Sequence, residues 1–126
     1  MTLVDTSSWV EQLRKRGRAD VRKRVEDLLR NGEAVWCAPV ELELWAGVGS
    51  DHERNVLRRF AEVLPRLRVD DTVWQRAVHL ADAARARGLT VPSSDILIFA
   101  CAREHGAALE HADRHFEMLE KLDAAG

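Results

Sequence analysis

The segment Ser93–Gly106 constrains the fold more than any other part of the chain. It reads Ser-Ser-Asp-Ile-Leu-Ile-Phe-Ala-Cys-Ala-Arg-Glu-His-Gly. A serine that suits a helix cap opens it, two turns follow that are apolar on nearly every face, and a glycine closes it. A helix without a polar face must be covered on all sides, so this one belongs in the middle of a domain. A single carboxylate, Asp95, sits in its first turn. There it complements the positive end of the helix dipole, worth about 0.3–1 kcal/mol. The other acidic residues of the chain suggest a second role.

Short apolar runs alternate with amphipathic ones on either side of this helix. Thr2-Leu3-Val4 reads as a strand running into Asp5, and Thr6, Ser7 and Ser8 offer caps for a helix carrying Trp9, Val10 and Leu13. Val21, Val25, Leu28 and Leu29 predict a helix over about 19–30 that stops at Asn31-Gly32. Ala34–Cys37 reads as a buried strand, and Pro39 then suits the first turn of a helix to Gly47. Residues 52–63 read as another amphipathic helix, and 65–69 as a weaker strand. A long helix over 71–87 places Val73, Trp74, Ala77, Leu80, Ala81 and Ala84 on one stripe. After the apolar helix come a last strand at Ala107–Leu109 and a short helix from about Arg114 to Leu122. Strands alternating with helices predict an α/β fold, a short parallel sheet with helices on both faces.

With 126 residues, 46% hydrophobic and 32% charged, the expectation is one globular domain over 1–126 rather than a disordered chain. A formal net charge of −2 excludes a bulk polyanion binder, so any nucleic acid must meet a local basic patch. The densest such stretch is Arg14-Lys15-Arg16-Gly17-Arg18 with Arg22, Lys23 and Arg24. Phosphate tracking and a solvated helix face are both consistent with it. Cys37 and Cys101 fall in apolar runs and read as buried thiols of a reducing compartment, with a disulfide as the alternative. No signal-peptide pattern opens the sequence and no apolar run reaches the length of a membrane span, so the expected location is the cytoplasm.

The layout gives the acidic residues a common address. Asp5 follows the first strand and Asp113 the last; Glu43 lies on the helix entered from the second strand, and Asp95 starts the apolar helix. In an open parallel sheet the carboxyl ends of the strands share one edge, where ligands bind. Four carboxylates meeting there repel one another unless a cation neutralises them. An all-oxygen donor set suits Mg²⁺, or Mn²⁺, better than Zn²⁺.

Four motifs, in order, carry a resemblance to a known family: Val4-Asp5-Thr6-Ser7-Ser8-Trp9-Val10; Glu43-Leu44-Trp45-Ala46-Gly47; Asp95–Ala102 with Gly106–Leu109; and His111-Ala112-Asp113-Arg114-His115-Phe116. Together they resemble the PIN-domain ribonucleases, specifically the VapC-type toxins of prokaryotic toxin–antitoxin pairs, over Val4 to about Leu119. The resemblance implies a PIN fold and Mg²⁺-dependent hydrolysis of RNA phosphodiesters. Asp5, Glu43, Asp95 and Asp113 would be the metal-binding, catalytic cluster, with Thr6 or Ser7 as a hydroxyl neighbour. It also implies a VapB-like antitoxin laid across an apolar groove, and a homodimer.

Glu41 competes with Glu43 for the second motif. The two lie about 200° apart on a helix, so only one faces a given site, and Glu43 is the better match because Gly47 follows it by four. This chain departs from many relatives by carrying His115 where they have a further Asp, and His111 where they have Thr. His111, Asp113 and His115 alternate, so an extended segment would put them on one face as a mixed nitrogen–oxygen site; the alternative makes both histidines neighbours of phosphate or solvent.

Three other readings stand beside this one. A phosphatase of the haloacid dehalogenase type needs a second Asp where this chain has Ser7, and a phosphoacceptor receiver needs an acidic pair after the first strand. A metal-free interaction module that keeps the fold would have no use for the acid set. For Trp9, Trp36, Trp45 and Trp74, all in apolar runs, core packing is the expectation. Trp45, with Leu42 and Leu44 beside Glu43, also suggests a docking surface next to the acidic site.

Overall fold

The computed structural model describes all residues, Met1–Gly126. Four parallel strands form the sheet: β1 (Thr2–Val4), β2 (Ala34–Cys37), β3 (Arg66–Leu67) and β4 (Ala108–Glu110), in the order β3-β2-β1-β4. Leu3 lies opposite Val35 on one side and Leu109 on the other. The chain thus builds outward from β1 to β3, then returns to place β4 on β1's free side. The sheet changes direction between β1 and β4, and in open α/β sheets the crevice at such a switch point is where ligands collect.

Seven helices flank the sheet: α1 (Thr6–Leu13), α2 (Ala19–Arg30), α3 (Ala38–Ala46), α4 (Asp51–Val63), α5 (Asp71–Ala86), α6 (Ser93–Glu104) and α7 (His115–Ala124). Each strand and helix anticipated from periodicity is present, with ends shifted by a residue or two. α6 is the buried helix that its composition requires: Ile96, Ile98, Phe99, Ala100, Cys101 and Ala102 are all in the core, covered by α5, α7, α3 and β4. It ends where Gly106 takes a positive φ of 64°, a conformation that side chains with a Cβ disfavour. None of the helices is long and apolar enough to cross a membrane.

The caps differ from expectation. α1 is capped by Asp5 rather than by Thr6, Ser7 or Ser8: its backbone is extended, and its carboxylate accepts from the Ser7 amide at 2.9 Å. α6 is preceded at its cap position by Pro92, whose fixed φ presets the turn, so Ser93 is the first helical residue and not the cap.

The tryptophans divide. Trp9 and Trp36 are fully buried and both pack on Phe60, at 4.8 and 6.3 Å between ring centroids, and Trp45 is partly buried against the same core. Trp74 is not core, being 52% exposed. On α5 the buried line is Val73, Ala77, Leu80 and Ala84; Trp74 and Ala81 lie one residue further round, about 100° off it. Cys37 and Cys101 are both buried and carry no disulfide.

Candidate active site

Asp5 stands at the carboxyl end of the central strand, and its burial follows from that position: only 3% of the residue is exposed. One oxygen, Oδ2, is fully occupied, accepting from the Ser7 amide at 2.9 Å and the Ser7 hydroxyl at 2.6 Å. The other, Oδ1, is buried without a hydrogen-bond partner. The Ser7 hydroxyl also accepts from the Ala112 amide at 3.0 Å, tying the end of β1 to the loop that carries Asp113. Ser8, one residue on, is buried and donates to Glu110, which Arg24 also grips at 2.7 Å.

The other acids arrive from three directions. Asp95 comes in on the first turn of α6, 8% exposed, with Oδ2 again unpartnered. Asp113, in the turn between β4 and α7, accepts from the His115 amide at 2.9 Å and so fixes the start of α7. Glu43 reaches across from α3 and accepts from the Thr6 hydroxyl at 3.0 Å. Burial is the leading cause that holds the carboxyls of Asp5, Glu43 and Asp95 above the ordinary range. The charges of Asp5 and Asp113 add to it at Asp95, whose pKa rises to about 6. The fold thus concentrates negative charge where water is scarce, an arrangement that costs stability until a cation joins it.

The four sequence-predicted carboxylates are therefore brought to one edge of the sheet. Glu41 is not among them. It points to β3 and pairs with Arg66, because a two-residue step along α3 turns it to the opposite face from Glu43. It is an ion-pair partner of the strand, outside the acidic cluster. The two histidines also separate. β4 ends at Glu110 and the chain turns at once into α7, so the alternation that would align His111 with His115 is broken. His111 packs on the Phe116 ring at 5.0 Å, whereas His115 enters the acidic cluster, its Nδ1 2.8 Å from Asp113 and 3.6 Å from Asp95. Asp95, Asp113 and His115 each present a ligand atom within 4.8 Å of the others.

Beyond Glu43 the surface continues past Val10, Leu13 and Arg14 into a cleft of about 670 Å³ lined by Arg14, Lys15, Arg22, His52, Glu53 and Phe60 among others. The basic stretch seen in the sequence is thus split. Arg18, Lys23 and Arg24 pair with Asp20, Asp27 and Glu110, while Lys15, Arg16 and Arg22 have no carboxylate partner. Gly17 shapes this loop: a Cβ there would lie 1.8 Å from the Glu11 carbonyl oxygen, so no other residue fits without moving the backbone. The contributions that reading the residues missed are Ser7, as the clamp between β1 and the Asp113 loop, and Glu110, as the partner of Ser8. Both bonds span about 100 residues and leave no local trace in the sequence.

A short parallel sheet with acids gathered at its switch point has counterparts among known proteins. The PIN domain family profile matches residues 2–122. The chain belongs to the PIN-domain family. Among its relatives it groups with the VapC proteins: it is 35% identical over 127 aligned positions to Ribonuclease VapC11 of Mycobacterium tuberculosis, covering 97% of this chain and 93% of that protein. Ribonuclease VapC21 of the same organism is 30% identical over 102 positions, 79% of this chain and 74% of the relative. In structure the chain resembles VapBC-1 from nontypeable Haemophilus influenzae, with a TM-score of 0.73 at 17% identity over 95% of this chain and 92% of that one.

Proposed function

We propose that this protein is a divalent-metal-dependent endoribonuclease and the toxin of a toxin–antitoxin pair. The observation that carries the reading is the meeting of Asp5, Glu43, Asp95 and Asp113 at the switch point with buried oxygens of Asp5 and Asp95 left unpartnered. Buried carboxylate oxygens that accept no hydrogen bond fit a cation. These four residues would hold it, as Mg²⁺ or Mn²⁺. Such an ion, when bound, supplies Lewis acidity toward a phosphodiester and activation of a water nucleophile. The chain's own part is positional. Thr6 orients Glu43, and Ser7 aims the free oxygen of Asp5 while holding the Asp113 loop against β1. Lys15 and Arg22, which line the cleft that leads from Glu43, and Arg16, next to Lys15 in the chain, have no carboxylate partner and suit the phosphates of an RNA strand.

The names of the VapC relatives and the VapBC likeness support this reading. For partners, we infer a VapB-like antitoxin that covers the exposed side of α3, where Leu42 is 70% exposed. A second copy of the chain is the proposed partner for the exposed Trp74 and Val78, with the half-buried Leu97 beside them.

The test is cleavage of RNA by purified protein in Mg²⁺ or Mn²⁺, with ends mapped after brief induced expression. Parent protein should cut, while Asp5→Asn and Asp113→Asn should lose cleavage and toxicity yet keep the parent's circular dichroism. Cutting at the parent rate by either Asn variant under saturating metal refutes the assignment.

A further inference from the structure

One nitrogen stands among the oxygens of this cluster: His115 Nδ1, 2.8 Å from Asp113 and 3.6 Å from Asp95. We propose that His115 is itself a metal ligand, through Nδ1, and that the centre therefore favours a first-row transition ion such as Mn²⁺ or Co²⁺ over Mg²⁺. The inference rests on the metal-nuclease reading above and narrows its cofactor.

Three observations converge on it. First, His115 Nδ1 is buried and makes no hydrogen bond, although Asp113 Oδ1 is only 2.8 Å away. That oxygen already accepts from the His115 amide and lies off the ring's N–H direction, so the nitrogen is close to the carboxylate without being satisfied by it. Second, Asp95 Oδ2, 3.6 Å from the same nitrogen, is the other orphan of the pair. Two buried polar atoms this close, neither bonded to the other nor to anything else, are both satisfied by one cation. Separations of 2.8 and 3.6 Å are those of neighbouring ligands on an ion with bonds of about 2.0–2.2 Å. Third, Asp5 Oδ1 is likewise unpartnered, in a residue that is only 3% exposed.

The chemistry then selects the ion. Mg²⁺ is a hard cation that prefers oxygen and keeps much of its water, whereas imidazole nitrogen suits the first-row divalent ions in the order Mn²⁺ below Fe²⁺ below Co²⁺. Helix geometry supports the role. His115 is the first residue of α7, and the Asp113 carboxylate bonded to its amide fixes the turn from which the ring projects. His111, packed on Phe116 and 4.0 Å from Glu120, stands outside this set and serves as the internal control.

The experiment loads the purified full chain with Mn²⁺ and records pulsed electron paramagnetic resonance, alongside calorimetric titrations with Mn²⁺ and Mg²⁺. The parent and His111→Asn should show ¹⁴N coupling from a coordinated imidazole, and His115→Asp should not. His115→Asp, which restores an oxygen donor, should also lower the ratio of Mn²⁺ to Mg²⁺ affinity by about tenfold, the equivalent of about 1.4 kcal/mol. Saturable Mn²⁺ binding without nitrogen coupling, or a ratio that His115→Asp leaves unchanged, overturns this proposal and leaves the nuclease reading standing. No saturable Mn²⁺ binding to the parent overturns both.

Discussion

Replacing Asp95 by Asn should make the metal-free protein more stable, although it removes a residue from the proposed catalytic cluster. Burial first, and then the charges of Asp5 and Asp113, lift the Asp95 carboxyl from 3.8 to about 6. At full value that displacement is worth roughly 3 kcal/mol against the ionised folded state. The site is open on one side, with the Asp113 and His115 side chains 31% and 28% exposed, so solvent screening reduces the figure to about 1–2 kcal/mol. Losing the favourable interaction of a carboxylate with the start of α6 removes about 0.5 kcal/mol of that. The net gain is about 1 kcal/mol, or about 3–5 °C in Tm for a chain of this length. The sign follows from linkage. A raised folded-state pKa means that the folded protein holds this proton more tightly than the unfolded chain does. The penalty is therefore absent below about pH 4 and develops as pH rises through about 6. The assay is thermal unfolding of parent and Asp95→Asn in EDTA from pH 4 to 8, repeated with Mn²⁺. The two should unfold together at pH 4 and separate by pH 7, and Mn²⁺ should raise the parent's Tm far more than the variant's. An Asn variant no more stable than the parent at pH 7 in EDTA would refute the claim that uncompensated charge is stored at this edge.

Glu43→Gln should reduce RNA cleavage at least tenfold, whereas Glu41→Gln should leave cleavage near the parent rate and change stability by no more than about 1 kcal/mol through its pair with Arg66; cleavage rate and chemical denaturation of the same two proteins distinguish them. Lys15→Ala, Arg16→Ala and Arg22→Ala combined should weaken RNA binding at low salt and flatten its logarithmic salt dependence by roughly 2, read by fluorescence anisotropy with a noncleaving Asp5→Asn background. Leu42→Asp should weaken antitoxin binding at least tenfold in calorimetry with little change in Tm, because a side chain 70% exposed contributes little to the isolated fold. Trp74→Lys should shift the chain to monomer in sedimentation analysis with its helix content unchanged, since the ring is 52% exposed.

The local rules carried much of the way to this structure. Hydrophobic periods of two and about 3.6, with glycine and proline punctuation, were enough to place the strands and helices, because those signals depend on near neighbours alone. The apolar run from Ile96 to Ala102 required a central helix, and the acids at strand ends followed from where a parallel sheet must present its edge. Distinctions that turn on a rotation or on a distant partner were decided by the tertiary structure. Glu41 and Glu43 differ by one step around α3, and only the positions of Arg66 and Thr6 show which faces the acids. Trp74 is as apolar as Trp9, but α6 and α7 pack against α5, whose buried face carries Val73 and Ala77, one residue round from it. His111 and His115 stand alike in the chain until the turn after Glu110 sends one ring onto Phe116 and the other between Asp95 and Asp113. Composition and spacing determine which residues must be buried and which charges occur at element ends; the direction in which a side chain leaves its helix, and what waits there to meet it, exists only once the whole chain has closed.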